Sequence, residues 1–350
     1  MAEKELKPLD PAGEDLWNDF LKEREHTYFH TLKYMKFICQ VYPDLKSAYS
    51  ILMSEGEARG IIPLFYSPSI FWGKKISPVQ FNMYGGPLLD DPGDIDIVAK
   101  ELFTLFPKST YIAFRDYYGR FPSSRHNRTI NADAYFTIVK LSKKENLAKL
   151  IYRERFIEKI RSLKKNNALS FRKIGKDELH DLYCLSVKFF KKRFGVSSYP
   201  EKYFEIILDT IVKGGNGELI GCFLDKRLIA GTFFIKYRNS AIYMWGCYDL
   251  ALSHLSPIAL LLDHQIIKLA SEGYKELDLG QTQIGNQGLL FFKENLGGVH
   301  RKLNKVYIPK AKSFRIPAGD NSFSIAKNVF RVLPDWLVKT LTPLIFRLYR

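Results

Sequence analysis

The stretch Leu277-Asp278-Leu279-Gly280 sets a carboxylate at the end of an apolar run, where a buried charge needs a partner. Further on, Phe291-Phe292-Lys293 places a lysine behind two aromatic rings, so its ammonium is directed toward a partly apolar setting. A carboxylate can take a proton from an attacking amine or orient the lysine, and an ammonium can stabilise a developing oxyanion. Together they suit acyl transfer to an amine. Each also has a plainer reading: Asp278 as the cap of the following loop, Lys293 as a lysine snorkelling from a helix face.

Other candidates are weaker. Tyr243 and Trp245 alternate with Met244 in an apolar run, one expected to face the core and the other a cleft. Arg115 ends an apolar strand as Phe-Arg-Asp and suits either a ligand or a salt bridge near Asp116. Ser253-His254 has no triad partner by spacing and reads as loop. The four cysteines, Cys39, Cys184, Cys222 and Cys247, lie far apart and form no CxxC, so neither a metal centre nor a disulfide scaffold is expected. Reduced thiols and a polar, acidic N-terminus fit a cytoplasmic protein without a secretory signal. No window holds 18 uncharged apolar residues, so no spanning helix is expected.

These residues need two domains' worth of elements to position them, since 350 residues exceed one typical domain. A helix is expected over 14–42, strands over 48–53 and 59–66 around a turn at 54–57, a helix over 95–106 and a strand over 111–115. A similar order returns: strands over 218–224, 228–237 and 241–247, a helix over 258–271 capped by Gly273, and a strand over 275–279. Met83-Tyr84-Gly85-Gly86 echoes Met244-Trp245-Gly246-Cys247. The fold expected is α/β (α+β), a duplicated unit of mixed central sheet flanked by helices. The domains are placed at 1–141 and 142–310, with a basic amphipathic tail at 311–350. A basic helix is expected at 143–167 and a second helix at 176–194.

Charge is uneven. The chain carries +16, yet residues 1–141 are near neutral, whereas 142–193 carry +10 and 299–350 carry +9. Such concentrations point to an anionic partner, with Arg161, Lys164 and Lys165 as the polyanion-binding candidates. Over 322–350, Trp336, Leu337, Leu341, Leu344, Ile345 and Leu348 recur at helical spacing, the pattern of an in-plane helix on an anionic membrane. The same face packed on the second domain is the alternative.

Strand, turn, strand, strand, loop, helix, strand resembles the core of the GNAT acyltransferases. In that family a glycine-rich loop ahead of the helix cradles the pyrophosphate of coenzyme A. Residues 249–260 contain no glycine, so no cofactor is expected. A duplicated unit without the cradle resembles the FemABX family, which transfers amino acids from aminoacyl-tRNA to cell-wall precursors. The basic run from Arg155 to Lys165 is similar to the helix opening its second domain. Arg193, Gly195, Pro200, Tyr203 and Phe204 are similar to its Arg-x-Gly…Pro-x-x-Tyr-Phe segment. Asp278-x-Gly280 followed by Gly288…Phe292-Lys293…Gly297 is similar to its Asp-x-Gly…Phe-Lys signature.

The resemblance implies Lys293 at the reacting ester or its oxyanion, and Arg193, Tyr199 and Tyr203 at substrate. His30, Thr31 and Tyr34 stand where the family usually has Gln-Ser-x-x-Trp, position 38 is Ile, and Tyr199 replaces an arginine that grips phosphate. These departures point away from the usual UDP-linked muropeptide. The function implied is aminoacyl or acyl transfer from an activated donor, aminoacyl-tRNA first, to an amine of a cell-envelope precursor. The alternatives are an acyl-CoA- or acyl-carrier-dependent N-acyltransferase of surface polysaccharide or lipid, and a non-catalytic RNA- or membrane-binding scaffold. The enzyme would work in the cytoplasm or at the inner face of the membrane.

Overall fold

A computed structural model describes residues 3–69, 73–79, 84–121, 129–144, 146–166, 169–311 and 324–348. Met83 of the repeated motif, and residues 312–323 of the tail, lie outside them. The chain divides into two compact units: Met1–Ala134 with Lys302–Ala318 and Arg347–Arg350, and Tyr135–Arg301 with Gly319–Phe346. The division does not follow the expected boundaries at 141 and 310. Two long strands, β9 (Thr129–Lys140) and β15 (Gly298–Pro309), each run through a boundary as one element, and the tail helices join the second unit.

In unit 1, the order is β1 (Lys4–Pro8), α1 (Gly13–Lys22), α2 (Leu32–Val41), β2 (Lys46–Ser47), β3 (Ser50–Ser54), β4 (Glu57–Ile62), β5 (Phe65–Ser69), β6 (Gly73–Ser77), β7 (Leu88–Leu89), α3 (Ile95–Leu105) and β8 (Tyr111–Asp116). The helix expected over 14–42 is two helices. Thr31 is extended and its hydroxyl accepts from the Tyr34 amide, starting α2 afresh. The β3–β4 hairpin turns on Glu55 and Gly56, both at positive φ (51° and 82°), the geometry that matches strand twist in a two-residue turn. β6 and β8 pair in parallel across α3, and β8 pairs antiparallel with Asn304–Pro309 of β15. Alternation along β8 sends Ile112 and Phe114 into the core beneath α3, and Tyr111 and Ala113 to the other face with Tyr307.

In unit 2, β9 leads to α4 (Leu147–Ile151), α5 (Glu154–Asn166), β10 (Leu169–Lys173), α6 (Leu179–Phe194), α7 (Glu201–Ile206) with a π-helical extension (Ile207–Val212), β11 (Gly217–Leu224), β12 (Arg227–Tyr237), β13 (Ser240–Tyr248), α8 (Pro257–Ser271), β14 (Glu276–Gln283) and α9 (Gln287–Asn295). The basic helix expected over 143–167 is broken at Tyr152, whose backbone is extended. β10 through β13 run antiparallel, and β13 pairs in parallel with β14 across α8. This parallel crossover repeats that of β6, α3 and β8. The core gathers Leu261, Ile266 and Leu269 of α8 against Ile229, Ala230 and Leu277 of the sheet.

The tail forms α10 (Ser324–Val332) and α11 (Asp335–Leu348). Val338, Thr342 and Phe346, four residues apart, form its buried stripe. Lys191 of α6 is buried. Its ammonium donates to the Leu333 carbonyl at 2.8 Å and pairs with Asp335. Gly195 caps α6 at φ 67°, and a Cβ there would stand 2.4 Å from the Lys327 carbonyl oxygen, so glycine is required twice over.

Candidate functional site

β13 and β14 pair only through Ser240–Ile242 and Glu276–Asp278, although β13 continues to Tyr248 and β14 to Gln283. The cause is local. The β12–β13 register runs Phe234 to Tyr243 and then Phe233 to Trp245, leaving Met244 as a bulged extra residue. A bulge bends and twists its strand, and here it falls two residues after the last that pairs with β14. The facing edges of the two strands part at Ile242 and Asp278.

The bulge also separates Tyr243 from Trp245, which strict alternation would put on one face. Tyr243 packs toward Phe234 and α8, its hydroxyl lying where a Cβ on Gly246 would be 2.3 Å away. Trp245 turns to the opposite face, among Phe204, Phe233 and Tyr199 with ring centroids 5.4–5.9 Å away. Tyr199 stacks on Tyr203 at 4.5 Å, and both rings meet Phe346 of α11. The Trp245 indole N–H is buried with no hydrogen-bond partner among the described residues. Burial pushes the Tyr199 and Tyr243 phenols up from their ordinary pKa. Sequence reasoning expected one to face the core and the other a cleft; in the structure both rings pack among apolar side chains, on opposite faces of β13.

At the parting point, Leu277 and Leu279 enter the core against α8, so Asp278 between them faces the other side, the side of Ile242 and Trp245. Asp278 is 3% exposed. Its Oδ1 accepts the Gly280 amide at 2.7 Å, a contact within β14 rather than a cap on a following loop. Gly280 takes φ 77°, and its carbonyl accepts from Lys293 Nζ at 2.7 Å. Lys293, on α9, is 4% exposed rather than snorkelling. Burial lowers its pKa to about 8 against the opposing pull of the Asp278 carboxylate. A buried carboxylate and a buried ammonium therefore share one glycine of β14, two residues past its last pair with β13. Gly280, which supplies both a donor and an acceptor here, is the residue that reading side chains alone overlooks; the signal for it was its place in Asp-x-Gly.

The remaining candidates lie elsewhere. Arg193 is exposed at the end of α6. Arg115 belongs to unit 1, where it pairs with Asp133 rather than near Asp116; the Asp116 carboxylate accepts the Arg120 and Phe121 amides instead. On α5, Arg161 and Lys165 are exposed, while Lys164 pairs at 2.5 Å with Asp263, which is 1% exposed. His254 sits in a short 3-10 turn before α8. That turn offers little to a phosphate: the Asp249 carboxylate already accepts the Ala251 amide, its left-handed residue is Ser256, and Pro257 at the start of α8 has no N–H to give.

Comparison with known proteins now adds to this geometry. Residues 152–293 match the family described as acetyltransferase (GNAT) domain. No curated protein sequence matches the chain. Among solved structures, FemX aligns with a TM-score of 0.62 at 13% identity, covering 86% of this chain and 96% of that one. A tandem GNAT protein from the clavulanic acid biosynthesis pathway aligns at 0.56 and 12% identity, covering 87% and 98%. L-PGS from Bacillus licheniformis aligns at 0.53 and 12%, covering 93% and 98%. The fold is thus the GNAT fold, and the architecture expected from the FemABX resemblance holds.

Proposed function

We propose that the protein transfers an aminoacyl or acyl group from an activated ester to an amine of a cell-envelope precursor. The observation that carries this reading is the Asp278–Gly280–Lys293 cluster at the point where β13 and β14 part. Open strand edges offer backbone N–H and C=O groups to an extended donor. When the amine nitrogen attacks the ester carbonyl, a C–N bond forms and the carbonyl oxygen takes the negative charge. The Lys293 ammonium stabilises that oxyanion and the Asp278 carboxylate takes the amine proton; collapse of the intermediate breaks the acyl C–O bond, and the proton passes from Asp278 to the departing oxygen, so the donor leaves with a free hydroxyl. The structural likeness to FemX and to L-PGS supports an envelope acceptor.

Aminoacyl-tRNA is the donor this reading favours. The turn before α8 does not suit a coenzyme A pyrophosphate, and α5 displays exposed cations. Transfer assays with aminoacyl-tRNA, acetyl-CoA and an acyl-carrier thioester, run in parallel, test it. Turnover with acetyl-CoA alone overturns the choice of donor.

Two further results are expected. Turnover falls as pH rises through about 8, because the ammonium form of Lys293 is lost there. This is measured as kcat/KM against pH, and a rise through the same pH would make Lys293 a neutral base instead. Replacing Arg161 and Lys165 by Gln flattens the salt dependence of tRNA binding by up to about two units of slope, near 0.9 per phosphate contact. Lys164 is left in place because it neutralises the buried Asp263. An unchanged slope in filter binding makes α5 an ordinary solvated face. No helix among the described residues is long and apolar enough to cross a membrane, so contact with a lipid-borne acceptor falls to surface features such as α11.

A further inference from the structure

In unit 2, a half-open groove of about 640 Å3 runs between α4, α5 and the C-terminal half of α8. That size lies within the roughly 300–1,000 Å3 of small-molecule sites. None of its lining residues belongs to β13, β14 or α9.

Three kinds of residue build it. The floor is polar. Asp263 and Tyr152 are both more than nine-tenths buried, Lys164 neutralises the carboxylate, and Asp263 together with burial pushes the Tyr152 phenol up. The break between α4 and α5 is what turns Tyr152 inward. The walls are aliphatic: Leu147, Ile157, Ile160, Ile267 and Ala270. Ile267 is 45% exposed, an apolar side chain left at the opening by a helix that otherwise buries its apolar face. The rim is cationic. Lys143, Lys144, Lys149 and Arg161 stand around the mouth, and none has a carboxylate partner among the described residues. An apolar trough would favour any hydrophobe and a basic rim any anion. Their coincidence selects molecules that carry both.

We propose that this groove is a binding site for an anionic amphiphile, an aliphatic chain lying along the walls with a phosphate or carboxylate head held at the rim. The chain removes Ile267 and its neighbours from water. The head meets cations that no carboxylate among the described residues offsets. The inference stands apart from the reaction proposed above, since it uses none of the residues assigned to that reaction except Arg161, and its test measures binding alone.

The test is a calorimetric titration of the full chain with dodecyl phosphate below its micellar concentration, beside inorganic phosphate, dodecyl maltoside and vesicles of anionic phospholipid. Dodecyl phosphate is expected to bind at least about tenfold more tightly than phosphate or the maltoside. Ile267→Glu and the pair Lys143→Glu with Lys144→Glu should each weaken it by about tenfold or more, with thermal unfolding unchanged because the substituted side chains lie at the surface. Vesicle binding that the groove variants reduce in parallel identifies a bilayer lipid as the source of the amphiphile; binding of the monomer alone identifies a soluble one. Phosphate binding as tightly as dodecyl phosphate, the maltoside doing so, or full affinity in Ile267→Glu overturns the proposal. So does loss of a short RNA on both variants with no binding of dodecyl phosphate, which would make the rim a nucleic-acid contact.

Discussion

Lys293→Met is expected to lower turnover by about 100–1000-fold, the range for removing one preorganised oxyanion donor, while the protein stays folded. Methionine keeps most of the length of the side chain on α9 and removes the ammonium with its charge and donors. The Gly280 carbonyl then loses its donor at 2.7 Å, and an unpaired buried acceptor costs on the order of 1–3 kcal/mol. Relief of the buried ammonium works the other way. Its folded pKa of about 8 lies below its ordinary 10.5. Between those values the unfolded chain binds the more protons, so native stability rises with pH through that window and carries the full cost of the charge below it. Lys293→Met should therefore show a smaller rise in denaturant midpoint from pH 8 to 10.5 than the wild type. A variant keeping more than half the wild-type turnover in a single-turnover assay removes Lys293 from the mechanism. A variant that loses turnover together with its cooperative unfolding transition shows instead that the lysine holds the end of β14.

The strands and helices around this cluster were legible in the sequence because they follow hydrophobic periodicity. The β3–β4 hairpin, α3, β8, and the run from β11 to β14 all lie close to where alternation or helical spacing sets them. What periodicity cannot show is an interruption whose cause is tertiary. The bulge at Met244 inserts one residue into an otherwise regular run, and only the pairing with β12 reveals it. The breaks at Thr31 and Tyr152 fall inside stretches with good helical spacing and are set by a cap and by burial of a side chain. The candidate site was legible in part for the same reason. Asp278 and Lys293 stand out as charges in apolar surroundings, but their meeting on Gly280 depends on a left-handed backbone that spacing does not encode. Asp263 carried a similar signal, a lone acid in the apolar run of α8, whose answer on α5 is distant in sequence.

Replacing Trp336 and Leu344 together by Ser is expected to reduce flotation with anionic vesicles by at least about 100-fold, since each side chain is worth roughly 1.5–3 kcal/mol on full burial. The helix carrying them uses its two sides differently. Val338, Thr342 and Phe346 are buried against unit 2, with Ser197 donating to Thr342 at 2.8 Å and Phe346 against Tyr199 and Tyr203. The opposite face presents Trp336, Thr340, Pro343, Leu344 and Arg347, with Trp336 68% and Leu344 57% exposed. Of the apolar face expected from the sequence, Leu337, Leu341, Ile345 and Leu348 are half-buried, so packing and an outward apolar strip are both present on one helix. An exposed tryptophan and leucine beside an arginine form the contact of an interfacial helix with an anionic bilayer. Deleting the tail is the wrong comparison. It would strip Lys191 of the Leu333 carbonyl and Asp335 and leave the Tyr199–Tyr203 stack uncovered, so any loss or gain of flotation would report on exposed core. The two serines leave the buried stripe untouched, and an unchanged melting temperature confirms it. Equal flotation of the variant and the wild type would assign the outward face of α11 to solvent and leave the meeting with a lipid-borne acceptor to another surface.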